Sequence, residues 1–201
     1  GAIVVGAYRS GGASLWRKYS SGGTPLNTAS WSNNGVSLGD TGETVLWMFQ
    51  YGYSTIACMP NGIFEFDEYH NSAPTSPEMR FARDTLYNGP GSMVWGGDAY
   101  LLHGHRLIRY NGETLKDVTP TKDTSVRQDN NTRRFGFPVA ITGNASALFC
   151  ALWNGTDAYL YMGQEREGRL IWDTLGYISA PTTAYTAMAI TGKTDPPRLF
   201  M

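Results

Sequence analysis

Trp95-Gly96-Gly97-Asp98-Ala99-Tyr100-Leu101 returns later in the chain as Trp153-Asn154-Gly155-Thr156-Asp157-Ala158-Tyr159-Leu160. In both copies an apolar run (92–95; 147–153) enters a turn rich in Gly, Asn and Asp, and a second apolar run (99–102; 158–162) leaves it. Apolar stretch, turn residues and apolar stretch are the pattern of a β-hairpin. A third strand is expected after each copy, at 106–110 and at 169–172.

The same strand, turn, strand grammar runs along the chain. Residues 2–8 and 13–19 flank Arg9-Ser10-Gly11-Gly12, and 36–38 is expected as an outer strand. Strands are expected at 45–50, 54–58 and 63–67, separated by Tyr51-Gly52-Tyr53 and by Met59-Pro60-Asn61-Gly62, with a fourth at 80–86. Further strands are expected at 115–118, 137–141 and 185–190, and the polar stretch 120–134 reads as a surface loop. Gly is abundant, at 24 residues in 201, and no segment carries helical periodicity, so the fold class is all-β with almost no helix.

If Ile3, Leu46, Met93, Leu148 and Met188 are equivalent, the separations are 43, 47, 55 and 40 residues. A period of roughly 40 to 50 residues with three or four strands in each is the signature of a β-propeller blade, because one small sheet cannot bury both of its faces alone. The expected units are 1–40, 41–90, 91–136, 137–183 and an incomplete 184–201. They would form a single propeller domain, either a ring of four to five blades or, if the chain is a fragment of something longer, part of a larger ring. A β-sandwich is the rival fold, since its strands also recur every 8 to 12 residues.

Charge is nearly balanced, with 16 Lys and Arg against 17 Asp and Glu, so there is no basic field for nucleic-acid phosphates. No apolar run is long enough for a membrane span. Cys58 and Cys150 each fall inside an expected strand, which reads as two buried free thiols rather than a disulfide or metal pair. Sequons stand at Asn130, Asn144 and Asn154.

The run Tyr100-Leu101-Leu102-His103-Gly104-His105-Arg106-Leu107-Ile108-Arg109-Tyr110-Asn111-Gly112 resembles the middle of a kelch-type or hemopexin-type propeller blade. Continued through Glu113-Thr114-Leu115-Lys116-Asp117-Val118-Thr119-Pro120, it resembles blades in virion and tail proteins of tailed bacteriophages. The resemblance implies a structural protein located in the virion, whose partners are other virion proteins or copies of itself.

Candidate chemistry is sparse. Asp40-Thr41-Gly42-Glu43-Thr44 resembles the core of the turn-stabilising Asp-box of sialidase-type propellers. Asp98 and Asp157 suggest a carboxylate pair for glycoside hydrolysis, but each adjoins a turn, where an Asp side chain is expected to accept backbone N–H bonds. His103 and His105 lack a third ligand at a recognisable spacing and read as hairpin-turn histidines rather than a metal site. Trp31, Tyr51, Tyr53, Trp95 and Trp153 all adjoin turns and form the candidate rim surface, either stacking a sugar ring or sealing seams between blades. The expectation is therefore a non-enzymatic structural or interaction module with no cofactor, no metal, and neither nucleic acid nor membrane as a direct partner. An extracellular glycan-binding propeller is the alternative, and a glycoside hydrolase the weaker one.

Overall fold

The computed structural model describes residues 2–9, 12–19, 36–38, 45–60, 62–67, 79–80, 89–104, 106–120, 136–178, 189–190 and 199–200. The regular structure among them is antiparallel β, and no helix occurs there. The chain divides into two compact units, Gly1–Gly89 and Pro90–Met201.

In the first unit, β1 (Ala2–Arg9), β2 (Gly12–Tyr19) and β3 (Val36–Leu38) form one sheet in chain order. A second sheet, also in chain order, holds β4 (Trp47–Tyr51), β5 (Ser54–Met59), β6 (Gly62–Asp67) and β7 (Met79–Arg80). Only residues 79–80 of the expected strand over 80–86 and its approach fall within the described residues. Four consecutive residues of β5, Ile56 to Met59, are fully buried, which requires cover on both faces of the strand. At the β4–β5 hairpin only Gly52 takes a positive φ, as the first central position of a type II′ turn requires.

The second unit opens with β8 (Met93–Trp95), β9 (Asp98–His103), β10 (Arg106–Tyr110) and β11 (Leu115–Asp117), again a meander in chain order. Next comes a meander of β12 (Phe137–Gly143), β13 (Leu148–Trp153), β14 (Ala158–Arg166) and β15 (Arg169–Ile178). A pair, β16 (Ala189–Ile190) and β17 (Leu199–Phe200), follows. We refer to the sheet β8–β11 as the third sheet and to β12–β15 as the fourth.

Three loops in this unit share one device. Asn111, Asn144 and Asn154 each open a four-residue loop between paired strands, spanning Tyr110↔Leu115, Gly143↔Leu148 and Trp153↔Ala158. Each asparagine Oδ1 accepts the backbone N–H of the residues two and three further on: Glu113 and Thr114, Ser146 and Ala147, Thr156 and Asp157. Its own N–H is donated to the carbonyl of the fourth loop residue. The side chain thus mimics a backbone turn and satisfies groups that the strands leave over. The sequons at Asn144 and Asn154 acquire a conformational role in this way, and the Ser146 hydroxyl also donates to Asn144 Oδ1. Asn130 lies outside the described residues.

Hydroxyl groups lengthen the short strands. Beyond the end of β8, Ser92 Oγ accepts the Leu102 N–H at 2.9 Å; beyond β11, Thr119 Oγ1 accepts the Leu107 N–H at 2.8 Å. Both side chains are buried, and the bonds account for that burial.

The third and fourth sheets share one apolar core, built from Tyr100, Leu102 and Leu107 on one side and Ile141, Leu148, Cys150, Leu152, Tyr161 and Trp172 on the other. Strand β12 lies against β8, β9 and β10, and also contacts β16. In β13 every residue except Trp153 is buried, whereas β14 is mixed and β15 carries several exposed residues. Burial therefore falls across the fourth sheet from β12 and β13 towards β15. Cys58 and Cys150 are both free and buried, as the sequence reading expects.

The two copies of the tryptophan motif do not occupy equivalent places in their sheets. The first copy of the tryptophan motif forms the hairpin of β8 and β9, the first and second strands of their sheet. The second copy forms the hairpin of β13 and β14, which are the second and third. Leu148 is thus not the counterpart of Met93; the first strand of the fourth sheet is β12. The four full sheets or partial sheets open at Ala2, Trp47, Met93 and Phe137, so successive starts are 45, 46 and 44 residues apart. The true spacing is more regular than the one read from the motif, because a Trp–turn–Asp-Ala-Tyr-Leu stretch specifies a hairpin without specifying which hairpin of a meander it makes.

Candidate functional site

The most organised chemistry in the described residues sits on the seam between the third and fourth sheets. Trp95, at the end of β8, donates its indole N–H to the carbonyl oxygen of Asn144 in the β12–β13 loop at 2.6 Å. Its ring also meets Tyr100 edge-on, with centroids 5.8 Å apart. Gly143 makes room for this ring: a Cβ there would stand 2.6 Å from Trp95 Cδ1. Trp172, in β15, makes the opposite connection and donates its indole N–H to Val118 O at 2.7 Å, just beyond β11. Here too a glycine lies under the ring, since Gly163 is paired directly with Trp172 and a Cβ would approach it to 2.7 Å. Each sheet thus sends one indole to a main-chain oxygen of the other.

A charged cluster closes the same seam. Arg109 in β10 bonds through Nε to Asp98 Oδ2 within its own sheet, and through a terminal nitrogen to Glu165 Oε1 of the fourth sheet at 3.0 Å. Burial alone would lower the pKa of the guanidinium. The bonds to Asp98 and Glu165 outweigh it and raise the value, so the charge is secure. Tyr100, the cross-strand partner of Arg109, has its phenol pushed from 10.0 up to about 12, chiefly by burial, against the opposing pull of Arg109. Burial also raises the phenol of Tyr161 and places the Cys150 thiol far above the range of a reactive thiolate.

The sequence-predicted candidates are dispersed. Trp95 is a seam residue. Trp153 sits at the opposite end of the fourth sheet, at the β13–β14 loop, edge-on to Phe137 with centroids 5.7 Å apart. Its indole nitrogen is buried and has no hydrogen-bond partner among the described residues. The structure therefore does not bring Trp95 and Trp153 to one rim. Tyr51 and Tyr53 belong to the β4–β5 hairpin of the first unit, where Tyr51 is half-buried and Tyr53 is 78% exposed. Trp31, His105 and the stretch 40–44 lie outside the described residues. His103 is the last residue of β9 and is buried. No group of three or more His, Cys, Asp or Glu side chains suited to a metal ion occurs among the described residues, and no helix there is long and apolar enough to cross a membrane.

Asp98 and Asp157 do not make the carboxylate pair. Asp98 is tied through Arg109 to Glu165, near the far end of β14, whereas Asp157 precedes the near end. At about 3.4 Å per strand residue, Glu165 and Asp157, eight positions apart, stand about 27 Å apart along that strand. The two carboxyl groups of a glycosidase stand roughly 5 to 10 Å apart. The expected turn-capping role also needs correcting for Asp98, whose carboxylate engages Arg109; in the second loop the Oδ1 cap is Asn154, and Asp157 donates its N–H to it. Sequence reasoning passed over Arg109, Glu165 and Trp172. The one available signal was a charged residue inside the apolar run Leu107-Ile108-Arg109-Tyr110.

In comparison with known proteins, no family model matches the chain, and no curated protein matches it.

Proposed function

We propose that this chain forms blades of a β-propeller and serves as a rigid, non-catalytic assembly module in the virion of a tailed bacteriophage. The observation that carries the propeller reading is the apolar core shared by the third and fourth sheets, taken with four-stranded meanders whose starts along the chain are 44 to 46 residues apart. A mechanical role is supported by the seam: its tryptophans and its arginine are all occupied in joining sheets. The virion assignment rests on the blade resemblance of residues 100–120. The test is the mass of the native complex that carries the polypeptide, measured together with the mass of the intact chain. Recovery in a large symmetric particle supports the proposal; recovery only as a free monomer of 22.1 kDa overturns it.

The exposed Tyr53 ring, beside half-buried Tyr51, favours glycan stacking as a second reading. Binding on a glycan array that disappears in Tyr53→Ala supports this reading, and a blank array for the unaltered chain removes it.

A further inference from the structure

Strand β15 is the outer edge of the fourth sheet. It pairs with β14 along its whole length, and no strand among the described residues pairs with its other side. Ten residues long, it presents an extended row of backbone donors and acceptors. The outer strand of the third sheet, β11, has only three residues, and its Asp117 is paired with Arg106. Leu170 and Trp172 face the shared core, so Arg169, Ile171 and Asp173 occupy the other face. Arg169 and Asp173 are exposed, and neither has a hydrogen-bond or ion-pair partner among the described residues. A bulge at Leu175, between the pairs Leu160↔Gly176 and Tyr161↔Thr174, ends the regular stretch.

We propose that β15 pairs with β15 of a second copy of this chain, antiparallel, about a two-fold axis at Ile171. The occupant follows from the order of the outer-face side chains. Read forwards they are Arg169, Ile171, Asp173; read backwards they are Asp173, Ile171, Arg169. In an antiparallel pair centred on Ile171, each Arg169 stands opposite an Asp173 of the other copy and the two Ile171 side chains meet between them. One register thus forms two ion pairs and one apolar contact. A shift by two residues loses both ion pairs. The proposal deepens the assembly reading by naming the edge, the partner and the register.

Sedimentation and light scattering of the purified 201-residue chain test it, with concentration raised to roughly 100 μM because a small edge contact is a weak one. The unaltered chain should form a dimer. Arg169→Asp or Asp173→Arg alone places two like-charge pairs in the interface and should weaken dimerisation about thirty-fold. The double variant Arg169→Asp/Asp173→Arg restores both pairs with their signs exchanged and should dimerise like the unaltered chain. Both substitutions are at exposed positions, so circular dichroism and unfolding midpoints should stay unchanged. A monomeric unaltered chain overturns the proposal, and so does a double variant no better than the single ones. A dimer that passes this charge exchange while the chain is absent from any large particle would keep the edge contact and remove only the virion reading.

Discussion

The indole N–H of Trp95 and the main-chain oxygen of Asn144 meet at 2.6 Å across the seam of two sheets, 49 positions apart in sequence. The contact is possible only because Gly143 leaves space for the ring, where a Cβ would come within 2.6 Å of it. Gly143→Ala should therefore destabilise the chain by about 1–3 kcal/mol through overpacking. Trp95→Phe should lose about 1 kcal/mol, the net worth of one hydrogen bond. Urea unfolding of Gly143→Ala in the background of Trp95→Ala supplies the check. With the ring gone, most of the Gly143→Ala penalty should vanish, and strictly additive effects would show that the two residues do not meet.

Arg109 holds two carboxylates from different sheets, which gives a second prediction. Arg109→Met leaves Asp98, half-buried, beside Glu165 with no cation between them. The expected loss is about 1–2 kcal/mol, at the modest end because the cluster is partly open to solvent. Arg109→Lys should recover little of it, since a single ammonium cannot fork between two acceptors on separate strands. Chemical denaturation of the three proteins decides the matter, and a lysine variant as stable as the parent would refute the bridging role.

Tyr100 predicts a specific alkaline sensitivity. Its phenol is raised from 10.0 to about 12 in the folded chain, mainly by burial, so the fold binds that proton more tightly than the unfolded chain does. The stabilisation is complete below about pH 10 and is lost as pH rises from there through about 12. Tyr161 is raised in the same direction and adds to the loss. Urea midpoints for the parent chain should fall between about pH 9 and about pH 11.5, and Tyr100→Phe should flatten part of that slope. An unchanged slope in Tyr100→Phe would place the alkaline loss elsewhere.

The hairpins were legible because turn chemistry is local. Gly96-Gly97, both with positive φ, and the asparagines at 111, 144 and 154 mark chain reversals in sequence as they do in space. The same locality explains why Leu148 was set equivalent to Met93. Nothing within Trp153 to Leu160 tells that hairpin that it follows another strand, β12, rather than opening its sheet. The seam was illegible for the complementary reason. Arg109 and Glu165 are 56 positions apart, and Trp172 meets Val118 across 54. Only the stacking of two complete meanders brings those pairs together, and a turn-by-turn reading contains no term for it. Asp98 was misassigned for a related reason: beside a glycine turn its local reading is a cap, and its actual partner, Arg109, lies on the next strand of the meander.

Glu167 gives the last prediction. It sits with Gly168 at the tip of the β14–β15 hairpin, between the paired Arg166 and Arg169, and has φ 51°. Among the described residues it is the non-glycine residue with positive φ. A left-handed conformation costs an ordinary L-residue roughly 1–2 kcal/mol, whereas Asn followed by Gly suits a turn with two positive φ values. Glu167→Asn creates that pair without altering any contact, because the side chain is exposed. The variant should therefore be more stable by about 0.5–1 kcal/mol. Thermal and urea unfolding measure the gain, and Glu167→Val, β-branched and poorly suited to positive φ, should move the midpoint the other way. If both substitutions shifted stability in the same direction, the backbone at 167 would not be the cause.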